Sequence, residues 1–294
     1  MTKQLLFQGS ATAIVTPFRD GGIDYEAFGN LIDFQIENKT DALVVLGTTG
    51  ESATISESER YEIIAFAKRR INKRVPLIVG TGTNNTQVSL RYSKSAESQG
   101  ADGLLIVTPY YNKATERGLI EHYSLIAKSV DAPIILYNVP SRTGVNMPIS
   151  VYKALSSIEN IVGIKEASGN ISYATEIIQA CHDNYSIYSG NDDLTLPILS
   201  LGGKGVISVV SNIMPEIMHT LCHEFINGNH QSATQLQLYL MPLIKEMFKE
   251  VNPIPVKTAL YLMGKIQNEL RLPLCYSTRT DSIEAILKQY NLIN

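Results

Sequence analysis

The sequence predicts an α/β fold: a (β/α)8 TIM barrel followed by a C-terminal helical extension. Short apolar runs recur between residues 11 and 209, separated by turn residues and by segments of helical period. The runs are continuous rather than alternating, which is typical of parallel strands that helices cover on both faces. A doubly wound sheet is the rival fold, but Thr16-Pro17-Phe18 follows the first run, where that fold often carries a G-x-G-x-x-G turn.

The predicted strands are short and mostly apolar, and they number eight. They are Ala11–Val15, Ala42–Leu46, Pro76–Val79, Gly103–Val107, Ile134–Tyr137, Ile161–Ile164, Ser186–Tyr188 and Gly205–Val209. Helix signals lie between them, and the segment Ser56-Glu57-Ser58-Glu59 is typical of a capping box that opens a helix to about residue 71. Further helix starts and stops are Asn84-Asn85-Thr86 with Gly100, Thr115-Glu116 with Asp131-Ala132-Pro133, and first turns at Pro148 and Pro215.

The strand pattern ends after about Ile226. Three helices are predicted beyond it, at Gln231–Glu250, Val256–Leu270 and Ser282–Tyr290, with breaks at Asn252-Pro253-Ile254-Pro255 and at Pro273. We therefore expect a catalytic barrel over residues 1–226 and a helical region over residues 227–294.

Composition excludes several classes of protein. Apolar residues make up 44% of the chain and charged residues 18%, which excludes a disordered chain. The formal net charge is −3, with no basic block, so no nucleic-acid partner is expected. The apolar runs are far shorter than the ~18 residues of a membrane span, so no membrane partner is expected either.

Cysteine usage and the first residues predict a cytoplasmic protein. Cys181, Cys222 and Cys275 form no C-x-x-C motif, and an odd, sparse set is typical of a reducing compartment. Residues 1–10 carry no sustained apolar segment, so a signal peptide is not expected.

Candidate chemistry collects where the predicted strands end, because barrel active sites lie at the C-terminal ends of the strands. Lys165 follows the apolar run Ile161–Ile164. Poor solvation there should lower its pKa from about 10.4 toward neutrality, and a neutral amine can attack a ketone to form a Schiff base. A lysine that extends its stem to solvent, or one that pairs with Glu166, would explain the same position.

Other polar groups follow neighbouring strands. The Tyr137 phenol could move protons to and from an imine, or pack as a core tyrosine. Thr48 and Thr49 suit a carboxylate or a proton relay, or simply cap a strand-to-helix turn. Arg142 suits a carboxylate, or lies on the surface. Tyr110 and Tyr111 suit a subunit interface, or pack in the core.

One pair of side chains offers metal ligands. His219 and His223 lie four residues apart on a predicted helix, with Cys222 between them. Glu224 follows His223, but zinc sites need three or four converging ligands, and no further ligand pair is evident in the sequence. No metal is therefore expected, and two histidines on a helix surface are the simpler interpretation.

Several segments together resemble the pyruvate-dependent class I aldolases of the dihydrodipicolinate synthase family. The motifs are G-T-T-G-E at Gly47–Glu51, Y-N-V-P-S-R-T-G at Tyr137–Gly144, G-I-K-E-A-S-G at Gly163–Gly169 and N-P-I-P-V-K at Asn252–Lys257, with Thr108–Asn112, Ser189–Asp192 and Gly202–Ser208 in support. The resemblance extends over essentially the whole chain, and the order and spacing of the motifs make it specific.

The resemblance implies a role for each matching residue. Lys165 resembles the Schiff-base lysine, Tyr137 the proton donor and acceptor, Thr48 the relay threonine, and Tyr111 the relay tyrosine that a neighbouring subunit contributes. Thr49 and Ile207 resemble the pyruvate-binding positions, Ile207 through its backbone, and Arg142 resembles the group that holds the second substrate's carboxylate.

The implied reaction condenses pyruvate with L-aspartate-4-semialdehyde to 4-hydroxy-tetrahydrodipicolinate, for lysine and diaminopimelate biosynthesis. Sugar-acid aldolases such as N-acetylneuraminate lyase share the lysine and the tyrosine, but Arg142 favours the synthase. A non-catalytic pyruvate-sensing barrel would have lost Lys165 or Tyr137. No cofactor is expected, because the lysine is the electron sink, and a homodimer or homotetramer is implied.

The resemblance also predicts weak or absent inhibition by L-lysine. Ser52, Ala53, Asn84 and Tyr110 match the pocket in which lysine-sensitive synthases bind this effector. Glu57 and Arg60 replace histidines of that pocket, and Val88 replaces the glutamate that holds the ammonium. An unpaired ammonium in a partly desolvated cleft is costly, so binding should be weak.

Overall fold

A computed structural model describes residues 3–294 of the chain. Met1 and Thr2, at the start of the segment considered for a signal peptide, lie outside the described residues. No helix of residues 3–294 is both long and apolar enough to cross a membrane.

Eight parallel strands close into a barrel, which confirms the predicted fold class. Their bounds are β1 Gly9–Ala13, β2 Ala42–Val45, β3 Leu77–Gly80, β4 Gly103–Val107, β5 Ile134–Asn138, β6 Ile161–Glu166, β7 Ser186–Ser189 and β8 Gly205–Ser208. Consecutive strands are neighbours, and β1 pairs with both β2 and β8 to complete the barrel. A small antiparallel hairpin, Phe18–Arg19 with Gly22–Ile23, follows β1.

Helices follow the strands and continue beyond the barrel. Their bounds are α1 Tyr25–Glu37, α2 Glu57–Ile71, α3 Thr86–Ser98, α4 Glu116–Ala127, α5 Pro140–Thr143, α6 Ile149–Leu155, α7 Ile171–Cys181, α8 Thr195–Ser200, α9 Pro215–Ile226, α10 His230–Met247, α11 Ile254–Leu262 and α12 Thr280–Gln289. The predicted caps are present: Ser56 and Glu59 form both bonds of a capping box, and Asn85 and Thr115 cap α3 and α4. The division at residue 226 lies between α9 and α10, which pack together, and two separate domains remain a prediction.

Most element boundaries differ from the sequence prediction by one to three residues, and the differences at β1 and α11 have a clear physical reason. β1 begins two residues early, because pairing with β8 starts at Gly9, whereas the Val15 amide donates to the Asn212 side chain. α11 ends at Leu262 rather than near residue 270. Gly264 adopts a left-handed φ of 70°, and its amide and that of Lys265 bond back to the last turn, which is how glycine ends a helix.

Side-chain alternation divides the barrel strands into two apolar layers. Ala11, Val44, Leu105, Tyr137 and Ile207 point into the barrel interior and form one buried cluster. The alternate residues pack outward against the helices in a second, larger cluster, which includes Leu43, Val45, Leu104 and Ile106. Because successive strand residues face opposite sides, a polar residue placed in the inner series near the end of a strand lies in the barrel mouth.

Candidate active site

A cavity of about 140 Å³ occupies the C-terminal mouth of the barrel. Five predicted site residues line it: Thr48, Thr49, Tyr137, Arg142 and Lys165. A second cavity, of about 400 Å³, shares Thr48 and Arg142 with the first and extends toward Arg60 and Tyr110. Residues that lie far apart in the sequence thus meet at one end of the barrel.

Lys165 and Tyr137 are cross-strand partners on β6 and β5. The Lys165 amine Nζ lies 4.4 Å from the centroid of the Tyr137 ring. Glu166 faces the opposite side of β6, where its carboxylate accepts hydrogen bonds from the Asn138 amide group and the Ser168 backbone N–H. The pairing of Lys165 with Glu166, which the sequence left open, is therefore excluded.

The surroundings of Lys165 favour a neutral amine. The residue is 5% exposed, and this burial lowers the pKa of its ammonium group to about 8. Asp192 opposes the shift in the pKa, and the positive charge of Arg142 adds to it. The neutral amine, which a nucleophile requires, is therefore far more populated near neutral pH than in a solvated lysine.

Gly190 leaves the space that the Lys165 side chain occupies. A Cβ at residue 190 would lie 3.0 Å from Lys165 Cε and 2.6 Å from the Ala167 side chain. Any larger residue would press on the lysine stem, so glycine at the end of β7 lets the amine reach the cavity.

The Tyr137 phenol is positioned for proton transfer. Burial raises its pKa, while Arg142 and the Thr48 side chain lower it. Thr48, in the turn after β2, lines the same cavity, and two neighbouring hydroxyl groups can pass protons to and from an imine on Lys165.

The turn Gly47–Glu51 is held from two sides. Within the turn, the Gly50 amide donates to the Gly47 carbonyl and the Glu51 amide to the Thr48 carbonyl. From outside, the Asn252 amide group donates to the Thr49 hydroxyl at 3.0 Å. Asn252 belongs to the segment between α10 and α11, so the C-terminal region positions a group of the barrel mouth.

A buried ion pair anchors the same turn. Lys257 Nζ lies 2.6 Å from Glu51 Oε1 and donates to the Thr16 carbonyl at 3.0 Å, and neither charged side chain is exposed. Lys257 is therefore a buried lysine whose amine is already occupied, and it lies outside the lining of both cavities in the described residues. Lys165 is the amine that a substrate in the smaller cavity meets.

Arg142 lies on the short helix α5 at the rim. Its guanidinium donates to the Asn252 carbonyl at 3.2 Å, which leaves other N–H groups facing the two cavities it lines. The arrangement can bind the carboxylate of a ligand whose reactive end lies at Lys165.

Comparison with known proteins agrees with this geometry. Residues 6–290 match the model of the dihydrodipicolinate synthetase family. The chain belongs to this family.

Individual relatives are similar over nearly their full length. A protein of Alkaliphilus oremlandii named 4-hydroxy-tetrahydrodipicolinate synthase is 52% identical over 269 residues, which cover 92% of this chain and 93% of the relative. A synthase of the same name from Clostridium novyi is 47% identical and covers 97% of each chain. The crystal structure of dihydrodipicolinate synthase from Thermotoga maritima superposes with a TM-score of 0.96 at 44% identity, over 98% of this chain and 100% of that one.

Two predicted residues of this family member lie outside the smaller cavity. Tyr111 is 83% exposed, on the loop after β4, and has a left-handed φ of 73°. Ile207 is buried on β8 beneath the mouth, in the inner cluster with Tyr137, while Val209 of the next segment lines the cavity. The single chain therefore brings five of the seven predicted residues together there and leaves Tyr111 at the surface.

Asp192 and Asn252 are functional candidates that sequence reasoning did not assign. The buried Asp192 carboxylate accepts from the backbone N–H groups of Val209 and Val210, both at 3.1 Å, and its charge acts on Lys165. Burial raises its own pKa, and Lys165 lowers it. Asp192 and Asn252 belong to the motifs Ser189–Asp192 and Asn252–Lys257, which resemble the family. Their roles, however, depend on contacts between segments that are distant in the sequence.

Proposed function

We propose that this chain condenses pyruvate with L-aspartate-4-semialdehyde to give 4-hydroxy-tetrahydrodipicolinate, in lysine and diaminopimelate biosynthesis. The observation that carries the proposal is a poorly solvated amine, Lys165, beside the Tyr137 ring in the cavity at the barrel mouth. The names of the relatives support the synthase over a sugar-acid aldolase and over a non-catalytic sensor.

The first half-reaction forms an imine. The Lys165 amine attacks the pyruvate ketone, and loss of water leaves an iminium ion. Tyr137, linked to Thr48, supplies the proton that departs with the water and accepts protons in later steps. Thr49 binds the pyruvate carboxylate and holds the ketone near Nζ; the Ile207 backbone, the other predicted pyruvate-binding group, lies beneath the cavity.

The second half-reaction makes the carbon–carbon bond. The iminium ion withdraws electrons, so a proton leaves the pyruvate methyl group and an enamine forms. The enamine carbon attacks the aldehyde of the second substrate, whose carboxylate is bound by Arg142. The amine of that substrate then attacks the imine carbon, which closes the ring and releases Lys165 as a free amine.

Chemical trapping tests the role of Lys165. Incubation with pyruvate and borohydride should reduce the imine and leave a stable adduct, which peptide mass mapping should locate on Lys165. The Lys165→Ala variant should lose the adduct, whereas Lys113→Ala, which removes an exposed lysine from the loop after β4, should keep it. Label on another lysine, or full labelling of Lys165→Ala, would refute the assignment.

We further propose that Tyr111 completes the proton relay of a neighbouring subunit. Its exposure in the single chain supports this, because a relay group cannot work from open solvent. The active species is then at least a dimer, and a tetramer is the expected state. Sedimentation of the enzyme during turnover tests this: a fully active monomer would exclude a shared relay. The same biosynthetic role leads us to place the enzyme in the cytoplasm.

A further inference from the structure

Three potential metal ligands converge at the end of the barrel opposite the active site. Asp41 immediately precedes β2, and His219 and His223 lie on successive turns of α9. His219 Nδ1 is 3.0 Å from Asp41 Oδ2, and His223 Nε2 is 2.9 Å from Asp41 Oδ1. The two imidazole rings stack with centroids 4.0 Å apart. One ligand atom of each residue lies within 4.8 Å of the others.

The backbone of β1 makes room for this cluster. A Cβ at Gly9 would lie 2.1 Å from Asp41 Oδ2 and 2.8 Å from His223 Nε2, so only glycine admits both groups. The Ser10 backbone N–H donates to Asp41 Oδ2 at 2.7 Å and orients the carboxylate. Hydrogen bonds of this kind hold ligating carboxylates in known metal sites.

The spacing suits a small tetrahedral ion. Bonds of about 2.0–2.1 Å to nitrogen and oxygen place neighbouring ligand atoms about 3.3 Å apart. The two N···O separations, each to a different oxygen of Asp41, are within a few tenths of an ångström of this value. The three ligand atoms lie within 4.8 Å of one another, so rotation of the side chains would bring them around an ion. The side chains of Asp41, His219 and His223 are 16%, 21% and 35% exposed. An ion can therefore enter, and water can fill the fourth position.

We propose that Asp41, His219 and His223 form a site for a divalent transition-metal ion. Two imidazoles and one carboxylate are a ligand set that known Zn²⁺ sites use, whereas Mg²⁺ and Ca²⁺ prefer oxygen ligands alone. The bound ion joins the segment before β2 to α9, the last barrel helix, across the start of β1. Its role is structural: it stabilises the barrel where β1 pairs with β2 and β8. The sequence expectation of no metal rested on a missing third ligand, and Asp41, 178 residues from His219, supplies it.

Metal titration of the untagged, full-length enzyme tests the site. After removal of metal with a chelator and dialysis, Co²⁺ should bind at one ion per chain and give the intense visible absorption of tetrahedral coordination, and Zn²⁺ should displace it. Zn²⁺ in about 100-fold excess over its dissociation constant should raise the midpoint of thermal unfolding by several degrees, because it binds only the folded chain.

Substitutions locate the ion. His219→Gln, His223→Gln and Asp41→Asn should each weaken Co²⁺ binding at least ~10-fold. His182→Gln is the matched control, because His182 also pairs with an aspartate, Asp183 at 3.1 Å, without a second imidazole. Turnover should be unchanged in the His219 and His223 variants, because the cluster is far from the active site. Normal turnover would also show that these variants fold.

Two results would overturn the proposal. One is the lack of a stoichiometric Co²⁺ complex and of any Zn²⁺-dependent stabilisation in the wild-type enzyme. The other is wild-type affinity in the doubly substituted His219→Gln/His223→Gln protein. Either would mean that the three side chains are only a hydrogen-bonded charge cluster, and the wild-type titration decides this even if a variant fails to fold.

Discussion

The environment of a single amine sets the pH at which the proposed chemistry starts. Lys165 attacks only when neutral, and its pKa is lowered to about 8. We therefore expect the rate of imine formation with pyruvate to rise with pH up to about 8 and to level off above it. Asp192 opposes the lowering of this pKa, so Asp192→Asn should move the rise to lower pH.

Rapid-quench borohydride trapping across the pH range measures both profiles. In Asp192→Asn the oxygen of the new side-chain amide can still accept from the Val209 and Val210 backbone N–H groups, so the variant should keep its fold. If the pH profile of imine formation is unchanged in Asp192→Asn, or moves to higher pH, the Asp192 carboxylate does not raise the pKa of Lys165.

Arg142 allows the two half-reactions to be separated. Arg142→Ala removes the bidentate donor proposed for the second substrate's carboxylate, a charge-assisted contact of about 1.5–3 kcal/mol. The KM for aspartate semialdehyde should therefore rise about 10–150-fold, while imine formation with pyruvate changes much less. Steady-state kinetics and trapping on the same preparation make the comparison. Equal losses in both would indicate damage to the Asn252 segment, which Arg142 also contacts.

At the scale of elements, the C-terminal helices hold the turn Gly47–Glu51 by a buried ion pair. Lys257→Met should lower the free energy of unfolding by about 3–5 kcal/mol, because the buried Glu51 carboxylate then has no counter-ion and, among the described residues, keeps only the Arg271 backbone N–H as a hydrogen-bond partner. Glu51→Gln combined with Lys257→Met should recover much of that loss, since no charge is left unpaired. Urea unfolding of the wild type, Lys257→Met, Glu51→Gln and the double variant measures this recovery, and a loss in the double variant equal to the sum of the two single losses would contradict a coupled pair.

At the scale of the whole molecule, the larger cavity is lined by three of the residues that resemble the lysine pocket of sensitive synthases, Ser52, Ala53 and Tyr110. Arg60 and Arg142 line this cavity, and the Arg60 guanidinium packs over the Tyr92 ring 4.3 Å from its centroid. Glu57, which the sequence suggested as a partial offset, pairs with Arg91 at 2.8 Å and lies outside the lining. The ammonium group of a bound L-lysine would therefore lie near two guanidinium groups in this cavity.

We expect little inhibition by L-lysine. A rate titration at sub-saturating pyruvate measures it. Half-inhibition below ~1 mM, equivalent to more than about 4 kcal/mol of binding, would contradict the prediction. Val88→Glu combined with Arg60→His should increase inhibition if the missing carboxylate and the added cation are the cause.

Local signals in the sequence are enough to predict the barrel, the family and five of the residues that line the smaller cavity. Continuous apolar runs and capping residues are local features, and barrel topology then brings the ends of the strands to one mouth, so the sequence alone predicts that Lys165 and Tyr137 are neighbours. The early end of α11 could also have been predicted, since Gly264 is a local signal that the sequence prediction did not use.

The distant segments that complete each site are known only from the folded chain. Asn252 reaches Thr49 across 203 residues, Lys257 reaches Glu51 across 206, and Asp41 reaches His219 across 178. Such contacts depend on how loops and helices pack after the barrel has closed, and no spacing rule along the chain encodes them. The pKa of Lys165 is decided in the same way, because desolvation and the charges of Asp192 and Arg142 act on the amine only after folding.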